Sequence, residues 1–590
     1  MLTTSAGNGP SVGLAPSPSP APDTAPDASQ RWWRDAVIYQ VYVRSFRDTT
    51  GDGIGDLAGV RTGLPYLKKL GVDGLWLSPF FRSPQHDHGY DVADYRAVDP
   101  AYGDLPEFDR LVADAHRLGL KVLLDIVPNH CSSEHPWFRA ALEEGPGGPA
   151  RARFHFAAGR GTDGELPPNN WRAMFGGPAW SRVTEEDGRP GQWYLHMFTP
   201  EQPDLNWRNP EVGADFEKVL RFWLDRGVDG FRIDVAAGLF KHPDLPDSPD
   251  PAADERTRDS VNPLAWNQPE VHEVWREWRA LCEEYTAQDG HDRLLVGEVS
   301  VRTPNEQAAY VRADELHQAF FFHLLTAPWD VDVFRTVISE ALTDIAATGS
   351  TVTWVLNNHD QVRTVTRYAT GPDDRTNGAG AARARAAALL MLALPGAAYV
   401  YQGEELGLPE VDDLPDEVLT DPIFHRTGSR LHVRDGCRVP LPWSGTAAPF
   451  GFSARAADAA AGSAGNGSAG TGSPEAGGAH TWLPQPAAFA GHTVDRAVAD
   501  TTSFWHLYRE GLHLRRTLPQ LGEGTLRWLD SPPQVLAFVR GDGLVCAVNF
   551  GTRPVPAPVP GSPLLASGAC PAGTLPGSTA AWWMHPPAAR

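Results

Sequence analysis

The chain has 590 residues, 42% hydrophobic and 21% charged, with 58 Gly and 53 Pro; that exceeds one ordinary core, so two or three domains sharing a large central one are expected. Its 51 Lys and Arg stand against 73 Asp and Glu, a formal net charge of −22, which argues against the phosphate-neutralising surface that nucleic acids and anionic membranes need. The five cysteines, Cys131, Cys282, Cys437, Cys546 and Cys570, include no C-x-x-C pair, so neither a disulfide framework nor a zinc site is encoded, and a reducing, cytoplasmic compartment is predicted.

Residues 1–30 carry no Lys or Arg and no continuous apolar run, and read as a disordered Pro/Ala/Ser tail, not a secretory signal. From residue 31 onward, short runs rich in Val, Ile, Leu and aromatics alternate with helix-period segments, the signal of βα units and a parallel sheet. The runs are AVIYQVYVR (36–44), VDGLWLS (72–78), LKVLLDIV (120–127), VDGFRID (228–234), RLLVGEV (293–299), HQAFFFH (317–323), TVTWVLN (351–357) and AAYVYQG (397–403). Eight such strands predict a closed (β/α)8 TIM barrel. The longest apolar stretch, 386–401, is cut by Pro395-Gly396, so it is predicted as helix, turn and strand and not as a membrane span.

Two segments interrupt the alternation. Residues 130–200 are aromatic, Gly/Pro-rich and weakly periodic, and are predicted to be a small domain inserted after the third strand. The barrel thus comprises 31–129 and 201–517, the latter with a flexible Gly/Ala/Ser loop over 454–479. A last helix is predicted over 499–516, and TLRWL, VLAFVR and LVCAVNF in 518–590 predict a C-terminal antiparallel β domain.

In a parallel barrel the carboxyl ends of the strands face the catalytic mouth. Here they carry Asp125 and His130 after the third run, Arg232 and Asp234 on the fourth, Glu298 on the fifth, and His359 and Asp360 after the seventh. Carboxylates used in pairs, one ionised as nucleophile and one protonated as acid, are above all the chemistry of glycoside cleavage. Arg232 stands two residues before Asp234 on one strand and so on the same face, where its charge is expected to keep that carboxylate ionised. Glu298 follows the apolar LLVG, an approach that suits a raised carboxyl pKa.

DIVPNH (125–130), GFRIDV (230–235), GEV (297–299) and NNHDQ (357–361) resemble the four barrel motifs of the α-amylase superfamily, glycoside hydrolase family 13. QPDLNW (202–207) resembles a further motif of that family, in the form seen in α-glucosidases, oligo-1,6-glucosidases and trehalose synthases, and GYDVADY (89–95) and RDGCRVPLPW (434–443) extend the likeness over nearly the whole chain. The resemblance implies that Asp234 is the nucleophile, Glu298 the general acid/base and Asp360 the transition-state stabiliser. It further implies that His130, Arg232 and His359 bind or orient the sugar, that Tyr90 and Asp91 fix the terminal glucose, and that Arg438 completes that pocket. Tyr90, Trp207 and Trp443 are the aromatics expected near substrate.

The stretch 48–56 spaces Asp48, Asp52 and Asp56 four apart among glycines, the ingredients of an oxygen-ligand loop for a hard cation. It resembles the calcium loop of the oligo-1,6-glucosidase group, which implies one structural Ca2+ (or Mg2+) held by Asp48, Thr50, Asp52, Ile54 and Asp56. Thr50 stands where that group often has Asn. No organic cofactor is implied. The activity expected is a retaining, exo-acting α-glucosidase on short oligosaccharides; the alternatives are a transglucosylase or isomerase such as a trehalose synthase, or a non-catalytic binding barrel. Val235 after the nucleophile tends to accompany α-1,6 cleavage in the family, but the following Ala236-Ala237-Gly238 departs from that pattern, so α-1,4 and α-1,6 both stay open.

Overall fold

The computed structural model describes residues 31–251, 262–371, 374, 378–453, 481–522 and 524–584; the tail 1–30 and the loop 454–479 lie outside them. Its eight parallel strands are β1 (Val37–Val41), β2 (Gly74–Leu77), β3 (Lys121–Ile126), β4 (Gly230–Ile233), β5 (Leu294–Gly297), β6 (Gln318–Ala319), β7 (Thr353–Val355) and β8 (Ala397–Tyr401). They pair in ring order from β6 back through β1 to β8 and β7, and a parallel bridge between Phe320 and Thr353 joins the two ends. Each strand falls within one of the apolar runs.

The strands are apolar on both faces because both are covered. Along β1, Val37, Tyr39 and Val41 face the surrounding helices, while Ile38 joins Trp76, Leu123, Val296, Phe320, Val355 and Tyr399 in the barrel interior. Gln40 alternates onto that inner face with Ile38, which matters for the site below. β6 is shorter than its run because the chain turns into a helix at Phe322 (Phe322–Thr326).

Helix starts follow their caps. The side chain of Asp56 accepts from Gly59 N to begin Leu57–Leu70, which ends at Gly71 in the left-handed region (φ 104°). The long apolar stretch resolves into helix Ala379–Ala393 and β8. Between them Gly396 has φ 108°, and a Cβ there would lie 2.3 Å from Val352 O, so only glycine fits. No helix among the described residues is long and apolar enough to cross a membrane.

After β3 the chain forms helix Pro136–Glu144 and a three-stranded antiparallel sheet of Phe156–Ala157, Pro190–Leu195 and Trp180–Thr184. Bridges His130–Asp204 and Phe154–Leu205 bind this segment back to the barrel. Helix Phe504–Thr517, capped by Ser503, leads to an antiparallel sheet of Leu526–Trp528, Val535–Arg540, Leu544–Asn549, Thr579–Met584 and Leu565–Ala566, in that order. It is fastened to the helix Ala379–Ala393, where Trp582 Nε1 donates to Leu389 O (3.2 Å) and Arg540 Nη1 to Ala393 O (2.6 Å).

Candidate active site

At the carboxyl ends of β3, β4 and β5 one guanidinium gathers three carboxylates. Arg232 Nη1 donates to Asp125 Oδ1 (2.9 Å) and Asp234 Oδ1 (2.6 Å), and Nη2 donates to Glu298 Oε2 (2.7 Å). The parallel register sets this up, since Arg232 pairs with Asp125 on β3 and with Val296 on β5. Asp234 and Glu298 thus lie on the two terminal nitrogens of one guanidinium. Arg232 in turn lies over the Trp76 ring, 4.9 Å from its centroid.

The electrostatics differ from the sequence expectation in one respect. Arg232 does lower the Asp234 carboxyl pKa, but burial outweighs it, and the charges of Glu298 and Asp125 add to burial, so Asp234 is held well above the usual carboxylate range. Asp125 is pushed up to about 6 by burial against the same cation. Burial thus opposes ionisation of Asp125 and Asp234 while Arg232 favours it, the kind of opposition by which paired carboxyls are given different roles.

His359 and Tyr90 form the floor beside them. Gln40 Nε2 donates to His359 Nδ1 (2.8 Å), so the ring proton sits on Nε2 and is donated to the Tyr90 hydroxyl (2.7 Å), which donates to Asp125 Oδ2 (3.0 Å). The two rings stack with centroids 5.3 Å apart and planes within 6°. Burial holds the His359 pKa well below its ordinary value. His130 reaches the same corner, its Nε2 3.1 Å from Tyr90 O, and burial lowers it to about 4.

Asp360 stands across the mouth on the loop after β7. Its Oδ1 accepts from Arg438 Nη2 (2.9 Å) and Arg434 Nη1 (3.3 Å), and Arg438 Nε donates to His359 O (2.7 Å). Arg434 goes on to Asp87 Oδ1 (3.0 Å) and Asp421 Oδ1 (3.0 Å), with its guanidinium 4.5 Å from the Phe175 ring centroid. Gln202 Nε2 donates to the other Asp87 oxygen (3.1 Å). These groups form one connected cluster with Asp360.

Seven of the nine residues expected around the reaction and the sugar thus converge directly: Tyr90, His130, Arg232, Asp234, Glu298, His359 and Asp360, and Arg438 closes the group. Asp91 does not join them, which corrects its placement beside the terminal glucose. Its Oδ1 accepts from Ser83 Oγ (2.9 Å) and Asp87 N (3.0 Å), and its Oδ2 from His86 N (2.9 Å), so it shapes the loop and Asp87 faces the site. Trp207 and Trp443 are also packing residues: Trp207 stacks on Phe216 and donates to Pro128 O, and Trp443 donates to Phe46 O. Asp87, Arg434, Gln40 and Gln202 join the site without being singled out by the sequence reasoning, although Arg434 stands one helical turn before Arg438.

The Asp48–Asp56 loop closes on its own donors. Asp48 accepts from Gly51 N (2.6 Å) and Gly53 N (2.9 Å), Asp52 from Ile54 N (2.9 Å), and Asp56 from Thr49 N and Gly59 N (each 2.7 Å). Among the described residues no group of three or more His, Cys, Asp or Glu is arranged to hold a metal ion. The carboxylates at Asp48 and Asp56 thus serve a turn and a helix cap.

Residues 40–461 match the family model described as alpha amylase, catalytic domain, and 522–582 match a domain of unknown function. The chain is 38% identical over 537 residues to a probable alpha-glucosidase of Rhizobium meliloti (strain 1021), covering 88% of this chain and 89% of that protein. It is 32% identical over 557 residues to an oligo-1,6-glucosidase of Parageobacillus thermoglucosidasius, covering 88% and 91%. The crystal structure of the alpha-glucosyl transfer enzyme XgtA superposes with a TM-score of 0.79 at 36% identity, covering 94% of this chain and 99% of that one.

Proposed function

The chain belongs to the α-amylase family, and on that premise we propose that it is a retaining, exo-acting α-glucosidase that removes α-linked glucose from the nonreducing end of short oligosaccharides. The observation that carries the reading is the bridging of Asp234 and Glu298 by one guanidinium, which suits the spacing of about 5 to 5.5 Å of a retaining pair, whereas an inverting enzyme would need its carboxyls about 6.5 to 9.5 Å apart. In this reading Asp234 attacks the anomeric carbon while Glu298 protonates the leaving oxygen and then activates water. Asp360, held by Arg438 and Arg434, stabilises the oxocarbenium-like transition state, and Tyr90, His130 and His359 bind the sugar. The cluster of Asp87, Arg434, Asp421 and Phe175 beside Asp360 supports an exo mode, because its charged groups can hydrogen-bond the hydroxyls of a terminal sugar. The five free thiols suit a cytoplasmic setting.

Incubation with maltose, isomaltose, sucrose and trehalose, with every product identified by NMR, tests the reading and determines the linkage. Release of free glucose from maltose or isomaltose is the expected result. A new disaccharide at constant hexose count would replace hydrolysis with isomerisation, while transfer of glucose to a second sugar is the reading that the likeness to an alpha-glucosyl transfer enzyme supports. No turnover of any of the four would leave the binding-barrel reading.

A structural calcium in the Asp48–Asp56 loop is the part of the proposal carried by the sequence alone. A cation there would be held by the Asp48, Asp52 and Asp56 carboxylates and the Thr50 and Ile54 carbonyls, in competition with the loop amides. Binding only the folded state would stabilise it by about 2.7 kcal/mol at a hundredfold excess over Kd. Calcium added after chelation is then expected to raise Tm, with the rise lost in Asp52→Ala. An unchanged Tm would mean that the amides are the loop's sole partners.

A further inference from the structure

The loop 83–91 brings Asp87 and Tyr90 to the site in a backbone shape that its residues do not favour. Gln85 (φ 68°) and His88 (φ 53°) are left-handed without being glycine, and Gly89 (φ 105°) has no room for a Cβ, which would lie 2.8 Å from Pro79 O. Side chains persist in that region only where the surroundings over-determine them. Asp91 fixes the middle of the turn through the amides of His86 and Asp87. The two left-handed residues are held from outside the loop by Arg44, whose Nη1 reaches Gln85 Oε1 (3.3 Å) and His88 Nδ1 (2.9 Å).

Arg44 is itself capped. Its guanidinium lies 4.2 Å from the centroid of the Trp482 ring, and the same indole touches the His88 ring at 5.4 Å. Trp482 is fixed in turn by its amide, which donates to Gly53 O (3.1 Å), and by Nε1, which donates to Ser45 Oγ (2.9 Å). An indole over a guanidinium shields it from water and strengthens its remaining hydrogen bonds. The planar guanidinium stacks flat on the indole while its Nη1 donates to both acceptors, a combination of face and edge that an ammonium lacks.

We infer that Arg44 and Trp482 form a clamp that keeps the loop 83–91 in its glucose-binding shape, which makes both of them positioning residues for recognition of the terminal glucose. The inference rests on the α-glucosidase reading. It assigns a task to Trp482, which belongs to none of the sugar-binding motifs and arrives just after the segment 454–480. Loss of the clamp lets Gln85 and His88 relax toward ordinary backbone angles, and Asp87 and Tyr90 move with them.

The test compares wild type with Trp482→Ala, Trp482→Phe and Arg44→Lys in two measurements, calorimetric affinity for the glucose-shaped amine 1-deoxynojirimycin and steady-state kinetics on p-nitrophenyl α-glucoside. Trp482→Ala and Arg44→Lys are expected to weaken the amine and raise KM by about tenfold or more, since a displacement of about 1 Å in a positioning group has effects of that order or larger. Their kcat should fall much less, their Tm should stay near that of wild type, and Trp482→Phe should recover most of the affinity by restoring a ring. Unchanged amine affinity in both Trp482→Ala and Arg44→Lys would overturn the clamp, as would a fall confined to kcat, which would place its effect on the carboxylates instead. Should Trp482→Ala fail to fold, Arg44→Lys decides the question by the same two measurements. A wild type that neither binds the amine nor turns over the glucoside would refute the α-glucosidase reading itself, a result distinct from any ranking among the variants.

Discussion

Replacing Asp234 with asparagine is expected to abolish turnover of every α-glucoside, with a loss of at least about 10⁴-fold, or roughly 5.4 kcal/mol of barrier. The amide keeps the shape and the contact to Arg232 Nη1 seen at 2.6 Å but cannot form the glycosyl ester. Glu298→Gln is expected to behave differently. With an activated aryl glucoside, whose leaving group needs no proton, the first step survives and the covalent intermediate accumulates; with maltose or isomaltose the loss should be about 10²- to 10⁴-fold. Azide separates the two roles. Attack on the β-linked enzyme intermediate of Glu298→Ala inverts it to α-glucosyl azide, whereas direct attack on the α-glucoside in Asp234→Ala gives β-glucosyl azide. NMR of the azide products, and of the glucose anomer first released by wild type, checks both. Release of β-glucose by wild type would refute the assignment of both residues.

These two carboxylates are legible in the sequence because barrel strands are short, buried on both faces and end at the mouth, so an apolar run that stops in Asp234 or Glu298 marks both the strand and the site. The helix, turn and strand across Pro395-Gly396 are legible for a similar reason, since a left-handed glycine interrupts an unbroken apolar run. Contacts made by loops are not. Asp91 and Asp87 both flank Tyr90, and spacing cannot say which of them is consumed by the amides of its own turn. Gln40 carries a signal of its own, a polar residue alternating onto the inner face of an otherwise apolar strand, where it sets the tautomer of His359. Arg434 carries another, four residues before Arg438 and so one turn away on the same side. Trp482 carries none, because its partners Arg44 and His88 lie roughly four hundred residues earlier, a separation that local periodicity cannot bridge.

A buried ion pair behind the nucleophile gives the largest expected effect on stability. Lys241, seven residues past Asp234, and Asp204, just after the inserted segment, both have fully buried side chains with Nζ and Oδ2 2.7 Å apart. Lys241 also donates to Asn129 Oδ1 (2.9 Å) and to Gly238 O, and Asp204 accepts from Met197 N (2.8 Å) and Asn129 Nδ2 (3.2 Å). Burial pulls the lysine pKa down and the aspartate opposes it. Such a pair contributes little net stability when intact, because desolvation offsets the attraction, but removing one member leaves an uncompensated buried charge. Lys241→Met is therefore expected to destabilise the protein by about 3 to 5 kcal/mol, read as a fall in the urea midpoint. The double variant Lys241→Met with Asp204→Asn should recover most of that loss, because the neutral amide still accepts from Met197 N and no charge remains buried. Asp204→Asn alone leaves the lysine unpaired and should be destabilising as well, by less, since a lysine with a lowered pKa can shed its proton. Additivity of the two single losses in the double variant would show that the residues act independently, and would remove the charge pair as the tie between the stretch that follows the inserted segment and the turn that carries Asp234.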